Sequence, residues 1–422
     1  MKFDTFSIKQ LIVLTWWTKE SEFKDKKGII CDGSIRSGKS ISMSVSFVMW
    51  AMKNFNEQQF GMSGKTVAAF KRNVIFWLRP ILKSRGYKTE YKDDTLIVTI
   101  KDKETRKIKT NYFYVFGGRD ESSYATIQGM TAAGWYFDEV ALQPQSFVNQ
   151  AMGRCSVKGS KFWFNCNPDM PNHWFKEEII DLCFKLNYLH LHFVMDDNPS
   201  LDEETKQDYR NRFTGVFYLR YILGLWALSE GIIYDMFDEN KNTYTMLDDK
   251  IKRNSTRYFS IDYGTTNPFV VLDIFDNWEV AYQEREIYYD SKKEHKSLSD
   301  SEYLKMVKEL ERKENIPVSF IVVDPSAESL IVLLRNEGYV VKLADNSVRE
   351  GIVCTGSALW QGKYKINKNN CTMTIKEIGG YVWDEKARKR GEEKPVKLND
   401  HAMDAKRYFV NTIMRKRILG RV

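Results

Sequence analysis

The stretch of sequence that decides the fold is Gly33-Ser34-Ile35-Arg36-Ser37-Gly38-Lys39-Ser40. It fills every fixed position of the pattern GxxxxGK[ST], and it lies between an apolar segment, residues 28–31, and a helix-like segment, residues 40–55. Glycines let backbone N–H groups turn toward phosphate oxygens, and a helix N-terminus adds partial positive charge. We therefore expect this phosphate loop to bind a nucleoside triphosphate, with Lys39 on the β- and γ-phosphates and Ser40 on Mg²⁺. A glycine-rich turn that serves only packing is the alternative.

A nucleotide-driven motor also needs a carboxylate at the end of a neighbouring strand. The segment Gly134-Trp135-Tyr136-Phe137-Asp138-Glu139 supplies an apolar strand that ends in two acids. We expect Asp138 to hold Mg²⁺, directly or through water, and Glu139 to polarise the attacking water as a general base. An Asp-Glu pair that merely caps a helix is the alternative.

Further polar residues near these motifs are candidates for additional roles. Asn165 and Asn167, which end the apolar segment 162–164, are candidates for sensing the γ-phosphate, although an Asn-Pro turn would explain them equally. Arg36 and Arg119 are both candidates for stabilising charge in the transition state, and the sequence does not choose between them. Gln10 lies at a distance before the loop that suits adenine recognition, but a lone glutamine is usually a surface residue.

The chain length and the order of the predicted elements indicate two domains. At 422 residues the chain exceeds a typical single core. In the first part, strands at residues 66–70, 95–100, 112–116, 134–137 and 161–165 alternate with helical segments, which predicts an α/β domain with a mainly parallel sheet. We place this domain at residues 1–230, a polar connection at 231–257, and a second α/β domain at 258–422.

Composition bounds the environment and the partners. No apolar run is long enough to cross a bilayer, and the N-terminus lacks a signal-peptide layout, so we expect no membrane association and a cytoplasmic location. The six cysteines include no CxxC pair, which favours reduced thiols over a zinc site. The net charge of +8 includes basic clusters at residues 101–109, 386–397 and 415–421. Such clusters suit a nucleic-acid partner, but they are also common on solvated faces.

Three separated aspartates stand out in the second domain. Asp262 and Asp324 each end an apolar strand, and Asp404 lies on a predicted helix at residues 400–414, where Asp400 and His401 share its face. Such carboxylates can converge on two divalent ions that activate water and stabilise a leaving 3′ oxygen. Oxygen ligands suit Mg²⁺ or Mn²⁺, and His401 would favour Mn²⁺. Helix caps and a solvent-facing Asp404 are the alternatives.

The order of these motifs resembles that of the large terminase subunits of tailed bacteriophages and prophages. The resemblance spans residues 10–408 and includes GSIRSGKS, WYFDEV, FNCNPD, SIDYG, VVDPS and DHAMDAKRY. It implies an N-terminal P-loop ATPase domain of the ASCE type with a mainly parallel sheet. It also implies a C-terminal nuclease domain of the RNase H-like α/β fold.

The resemblance also implies roles for single residues. Asp138 and Glu139 match the acidic motor pair, and the metal-binding triad corresponds to Asp262, Asp324 and Asp404. His401 matches a histidine that a subset of the family has. The basic segment 379–397 resembles a hairpin that could gate DNA entry, and the tail 415–422 is where a portal or procapsid contact would lie.

In this family, ATP hydrolysis with Mg²⁺ drives double-stranded DNA through a portal into a procapsid, and a nuclease with two Mg²⁺ or Mn²⁺ ions cuts the concatemer. The implied partners are DNA, a small terminase subunit, the portal and further copies of the chain. The implied location is the cytoplasm of the infected or lysogenic bacterial host, not the mature virion. Another ATP-dependent DNA nuclease is one alternative, and a DNA-binding assembly protein with an inactive nuclease is another.

Overall fold

A mainly parallel sheet forms the centre of the first unit. Within the described residues it has eight strands: β1 (Gly28–Gly33), β2 (Gln59–Gly64), β3 (Lys88–Lys92), β4 (Thr95–Lys101), β5 (Ile108–Gly117), β6 (Gly134–Phe137), β7 (Lys161–Asn165) and β8 (Tyr188–Phe193). Their order is β3-β4-β5-β2-β6-β7-β1-β8. In the part of this order that runs β5-β2-β6-β7-β1-β8, each strand pairs in parallel with its neighbour. Strand β1, which leads into the phosphate loop, is buried along its whole length, as expected for a central parallel strand.

Helices cover this sheet and close its core. Residues Phe47 and Trp50 of the helix after β1 pack on Trp163 of β7, with ring centroids 5.1 and 4.8 Å apart. The helices are α1 (Ile8–Thr15), α2 (Lys39–Asn54), α3 (Val67–Phe70), α4 (Phe76–Ser84) and α5 (Gln145–Gly153). Two further helices, α6 (Glu203–Arg212) and α7 (Gly215–Tyr221), span the residues at which the chain changes from one compact unit to the other. The computed structural model describes residues 5–101, 106–264, 268–390 and 392–420.

A mixed sheet forms the centre of the second unit. Within the described residues its strands are β9 (Thr243–Tyr244), β10 (Thr256–Asp262), β11 (Phe269–Asp276), β12 (Ala281–Tyr289), β13 (Phe320–Val323), β14 (Val341–Leu343) and β15 (Tyr364–Asn367). The order is β14-β13-β10-β11-β12-β15-β9. Strands β10, β11 and β12 are antiparallel, whereas β13 pairs in parallel with β10 and β14 in parallel with β13. This arrangement agrees with the RNase H-like expectation.

Helices of the second unit flank this sheet, and the last long helix carries the predicted acidic motif. The hydroxyl of Ser260 in β10 donates to the Ala405 carbonyl at 2.7 Å, which ties that helix to the strand. The helices are α8 (Glu239–Asn242), α9 (Asp249–Arg253), α10 (Asp300–Glu311), α11 (Glu328–Asn336), α12 (Val348–Trp360), α13 (Thr372–Gly380), α14 (Glu385–Lys389), α15 (His401–Phe409) and α16 (Arg415–Leu419). A π-helical turn, Val410–Met414, joins the last two.

The predicted α/β class with a mainly parallel first sheet is confirmed, but the strand predicted at residues 66–70 is wrong. The strand lies earlier, at β2, and residues 67–70 form the short helix α3, whose first turn is capped by the Thr66 hydroxyl accepting from Ala69 N at 3.1 Å. Strand β2 lacks an apolar run because Gly61 must leave room for a neighbouring ring. A Cβ at Gly61 would lie 2.2 Å from the Trp135 side chain.

The chain divides into two compact units that alternate along the sequence. The first comprises Met1–Gln207 and Tyr218–Leu228, and the second comprises Asp208–Phe217 and Ser229–Val422. In the segment 231–257, strand β9 pairs with β15, so this connection contributes to the second sheet. The functional boundaries at residues 230 and 257 stay a prediction. Among the described residues, no helix is both long and apolar enough to cross a membrane.

We predict that the second unit depends on the buried ion pair between Arg257 and Asp273. Both side chains are fully buried, and their charged atoms lie 2.8 Å apart on adjacent strands. Asp273→Ala leaves the guanidinium buried without its carboxylate, so it lowers the free energy of unfolding by about 3–5 kcal/mol. Hydrogen–deuterium exchange of peptides from β10 and β11 measures this loss.

The matched control is Glu337→Ala, which also removes a carboxylate from an ion pair. That pair, with Lys308, is more than a third exposed on both sides. We expect its loss to cost less than about 1 kcal/mol. Equal effects of the two substitutions would contradict the assigned importance of the buried pair.

Candidate functional site

The phosphate loop connects β1 to α2 through backbone conformations that require glycine. Gly33 has φ 128°, and a Cβ there would lie 1.9 Å from the Phe193 carbonyl oxygen. Gly38, the residue before α2, has φ 83° in the left-handed region. Arg36 is exposed and also has a positive φ, 58°. The loop therefore turns sharply at the end of a central strand and delivers the chain to a helix N-terminus, as the motif predicts.

Lys39 folds back onto the loop. Its side chain is buried, and Nζ donates to the carbonyl oxygens of Gly33 (3.0 Å) and Ser34 (2.6 Å) and to the Ser37 hydroxyl (3.2 Å). Burial lowers the pKa of Lys39 to about 8. The ammonium thus lies within the loop, held by neutral oxygen atoms that satisfy its hydrogen bonds but do not neutralise its charge.

The strand-end acid Asp138 lies next to Ser40, as the sequence predicts. Its carboxylate accepts from the Tyr136 hydroxyl at 2.8 Å and from the Asn165 amide at 2.5 Å, and the same amide donates to the Ser40 hydroxyl at 2.8 Å. Burial raises the pKa of Asp138. Glu139 follows in the left-handed region at φ 52° and is partly exposed. The structure therefore groups a hydroxyl, a buried carboxylate and a second acid at one edge of the sheet.

The two asparagines that follow the apolar part of β7 both contact the phosphate loop. Asn165 contacts Ser40, and the Asn167 side-chain oxygen accepts from Lys39 Nζ at 3.3 Å. Gln10 is buried rather than on the surface. Its Nε2 atom lies so close to Gly38 that a Cβ atom added to Gly38 would be only 2.4 Å from it. These contacts bring all three residues to the loop, while their predicted roles in sensing and adenine recognition stay predictions.

The two candidate arginines are both exposed. The Arg36 carbonyl accepts from the Asn198 amide at 2.7 Å, and the Arg119 carbonyl accepts from Lys65 Nζ at 3.0 Å. Both contacts involve backbone oxygens. They therefore do not select either guanidinium for charge stabilisation.

A buried acid that the sequence analysis did not predict lies directly before the phosphate loop. Asp32, the residue before Gly33, accepts from Trp226 Nε1 at 2.7 Å and lies 2.8 Å from His190 Nε2 and 3.2 Å from His192 Nδ1. Burial alone would raise the pKa of Asp32, but the hydrogen bonds from these three rings hold it well below its ordinary value. An aspartate inside an apolar strand was the available signal, because a buried charge requires partners.

A second group of acids lies at one edge of the second sheet. Strands β10 and β13 pair in parallel with Ile261 opposite Val323, so Asp262, the last residue of β10, and Asp324, the residue after β13, lie at neighbouring strand ends. The Tyr408 hydroxyl of α15 donates to Asp262 Oδ1 at 3.4 Å and is also a hydrogen-bond partner of Asp324. Asp404 lies on the same helix, one turn earlier. We call Asp262, Asp324 and Asp404 the acidic edge.

Each member of the acidic edge has polar or cationic partners within the second unit. Asp262 Oδ2 lies 2.9 Å from His401 Nδ1, Asp324 Oδ2 accepts from the Asn346 amide at 3.0 Å, and Asp404 accepts from Arg407 at 2.8 Å and Lys397 at 3.0 Å. These partners are His401, Asn346, Arg407 and Lys397. Hydrogen bonds and ion pairs with side chains of the protein therefore already satisfy the three carboxylates of the acidic edge.

The direction of the pKa shift differs among the side chains of the acidic edge and its partners. Burial raises the pKa of Asp262, although the hydrogen bond with His401 opposes this shift. Burial would lower the pKa of His401, but the Asp262 carboxylate raises it above its ordinary value. The pKa of Asp324 is lowered despite partial burial, because Ser326 and Asn346 donate to it.

The donor set suits a hard divalent cation, but the side chains are not arranged around one. In the part of the chain that the structure describes, no three His, Cys, Asp or Glu side chains are grouped so that they could hold a metal ion. Carboxylate oxygens with one imidazole are ligands that Mg²⁺ and Mn²⁺ accept. A cation shared by the acidic edge therefore requires these side chains to leave their present partners.

Comparisons with known proteins agree with this arrangement of motifs. Residues 30–241 match the family described as terminase large subunit, T4likevirus-type, N-terminal. A crystal structure of the large terminase from a thermophilic bacteriophage (crystal form 2) is 52% identical, with a TM-score of 0.91 over 97% of this chain and 99% of that one. No curated protein sequence gives a significant match.

Two further structures of the same thermophilic phage protein contain nucleotides. Its complex with ADP is 51% identical with a TM-score of 0.90, and its complex with ATP-γ-S is 52% identical with a TM-score of 0.89. Each alignment covers 97% of this chain and 100% of the other. The similarity therefore extends over both units and not only over the phosphate loop.

We predict that Asp32 stabilises the first unit in a pH-dependent way. Because its pKa is lower in the folded than in the unfolded chain, ionised Asp32 stabilises the fold above about pH 4, and this contribution is lost as the pH falls. Asp32→Asn should cost about 2 kcal/mol at pH 7. The difference should shrink below about pH 4, where the unfolded chain begins to bind the proton. Thermal unfolding at several pH values measures it.

Asp25→Asn is the matched control, because Asp25 is exposed in the same unit. We expect this variant to unfold like the wild type across the pH range. A pH-independent difference between wild type and Asp32→Asn would contradict the prediction.

Proposed function

This chain belongs to the family of large terminase subunits of bacteriophages, and from this premise we propose that its first unit hydrolyses ATP to move double-stranded DNA while its second unit cuts that DNA. The chain is accordingly a subunit of a phage DNA-packaging motor. The observation that carries the proposal is the meeting of the phosphate loop, Ser40, Asp138 and Asn165 at one sheet edge. The packaged DNA enters a procapsid through a portal, as in the rest of the family.

The nucleotide site would work by an exchange of partners at Lys39. Its ammonium is now held by neutral carbonyl oxygens, and a triphosphate offers the same ammonium a much stronger, charged partner. Residues 33–40 would hold the phosphates, and Ser40 and Asp138 would hold Mg²⁺, which neutralises charge on the phosphates when bound. Glu139 would orient and deprotonate the attacking water. The complexes of the thermophilic phage protein with ADP and ATP-γ-S support nucleotide binding by the proposed motor unit.

Coupling of hydrolysis to movement would begin at the end of β7. Asn165 contacts both Ser40 and Asp138, and Asn167 contacts Lys39. Loss of the γ-phosphate would change the position of Lys39, and Asn167 would follow it. Asn165 and Asn167 would therefore respond directly to the presence or loss of the γ-phosphate.

The cutting site would be the acidic edge. Two Mg²⁺ or Mn²⁺ ions would be held by Asp262, Asp324 and Asp404, with His401 as a further ligand, and when bound they supply a water nucleophile and stabilise the leaving 3′ oxygen. The protein contributes the positions of the carboxylates, since β10, β13 and α15 fix their backbones. His401 and Tyr408 orient Asp262 before metal arrives.

The remaining assignments follow from the same premise. We assign residues 1–230 to the motor, 231–257 to a connection and 258–422 to the nuclease. The proposed partners are a small terminase subunit, the portal of the procapsid and further copies of this chain. The segment 379–397 would gate DNA entry, and residues 415–422 would contact the portal or procapsid. Packaging would take place in the cytoplasm of the infected or lysogenic host, and the chain would be absent from the mature virion.

We predict that single substitutions separate the two activities. Lys39→Met should lower ATP hydrolysis by at least about 100-fold, because the phosphates lose a charged partner, and should leave Mn²⁺-dependent cutting of supercoiled plasmid intact. Asp262→Asn should lower plasmid cutting by at least about 100-fold and leave ATP hydrolysis intact, because the metals lose a charged ligand. Phosphate release and gel electrophoresis measure the two activities.

Matched controls use exposed residues of the same type in the same units. Lys53→Met and Asp249→Asn alter side chains that are exposed to solvent, and both should retain both activities. Loss of both activities in each test variant would contradict two separable sites. Plasmid cutting that survives Asp262→Asn would contradict the nuclease assignment alone.

A further inference from the structure

Lys397 brings a positive charge to the acidic edge. Its Nζ lies 3.1 Å from Asp400 Oδ2 and 3.0 Å from Asp404 Oδ2, so that one ammonium bridges two carboxylates. The two aspartates are buried, with 4% and 7% of their surface exposed, whereas the Lys397 side chain is 63% exposed. Lys397 therefore reaches from solvent to a pair of buried acids.

Asp400 is an acid without an evident structural task. It precedes α15 at the N-cap position, where aspartate usually accepts a backbone N–H bond, yet its side chain makes no such bond. Its Oδ2 is buried and has no well-aligned hydrogen-bond donor among the described residues, so its contact with Lys397 is mainly ionic. Buried carboxylate oxygens are normally satisfied by hydrogen bonds or by a cation. Lys397 meets this need here, and a divalent cation in its place would meet it in the same way.

The two cations that hold Asp404 differ in mobility. Arg407 is almost fully buried, donates to Asp404 Oδ1 at 2.8 Å, and is fixed by a second hydrogen bond to the Asn346 carbonyl at 2.6 Å. Lys397 binds the other oxygen, Oδ2, from a flexible and exposed stem. Removal of Lys397 alone would free one oxygen of Asp404 and would remove the salt bridge that the described residues make with Asp400.

We propose that Lys397 is a tethered counter-ion that a divalent metal must displace before it binds Asp404, and that Asp400 is an additional carboxylate ligand of that metal. The inference rests on the proposed nuclease function of the acidic edge. The Lys397 side chain can move away from the two carboxylates because residues 398–399, which follow it, are exposed. The backbone before it is held in place, since Val396 N donates to the Val382 carbonyl at 2.9 Å. Lys397 can therefore swing away without opening the core.

Calorimetric titration of the full chain with Mn²⁺ alone tests this exchange. Lys397→Met keeps the length of the stem and removes the competing charge, so it should bind Mn²⁺ about two- to five-fold more tightly than the wild type; an exposed ion pair justifies no larger effect. The matched control is Lys394→Met, because Lys394 is also 63% exposed and pairs with Glu392. It should bind like the wild type. Equal or weaker binding by Lys397→Met would overturn the proposal.

The role of Asp400 is tested in the Lys397→Met background. There, Asp400→Asn should remove the gain in Mn²⁺ affinity, and an undiminished gain would overturn its assignment as a ligand. Thermal unfolding of each variant without metal establishes that it is folded.

Asp262→Asn separates this inference from the proposed function. If Mn²⁺ binding is lost in Asp262→Asn but unaffected by Lys397→Met, only the counter-ion proposal fails. If Asp262→Asn binds like the wild type, or if no variant binds Mn²⁺, the metal site itself fails, and the counter-ion proposal fails with it.

Discussion

Parallel strand pairing is the constraint on which both candidate sites depend. Parallel neighbours end at the same edge of a sheet, so residues far apart in the chain meet there. In the first unit this edge brings together the phosphate loop after β1, Asp138 after β6 and Asn165 in β7. In the second unit it brings together Asp262 and Asp324 at the ends of β10 and β13. The same geometry therefore builds a phosphate site in one unit and an acidic site in the other.

Charged groups of both sites are held by hydrogen bonds or ion pairs within the protein. Lys39 is held by carbonyl oxygens of its own loop, and Asp404 is held between Arg407 and Lys397. Ligand binding at either site is thus an exchange of one set of partners for another, not the filling of an empty space. Such exchange limits affinity, because each ligand must replace interactions that already exist. It also keeps buried charges satisfied while the ligand is away.

The sequence predicted the motifs better than the residues that contact them and hold them in place. The phosphate loop, the acid of β6 and the strand-end aspartates were predictable because glycine spacing and apolar runs before an acid are local patterns. The cluster around Asp32 was not, since its partners His190 and Trp226 lie more than 150 residues away in the chain. The displaced strand at β2 was missed because glycines replace the usual apolar residues. The cationic partner Lys397 looked like one more residue of a basic surface segment.

Anomalous X-ray diffraction from crystals of the full chain grown with Mn²⁺ would show directly whether the acidic edge holds metal ions. We expect anomalous peaks between the carboxylates of Asp262, Asp324 and Asp404, with carboxylate oxygens as ligands of the ions. Those side chains should have turned from their present partners toward the ions. Fully ordered carboxylates in their present positions at saturating Mn²⁺, with no peak between them, would contradict a shared metal site at the acidic edge.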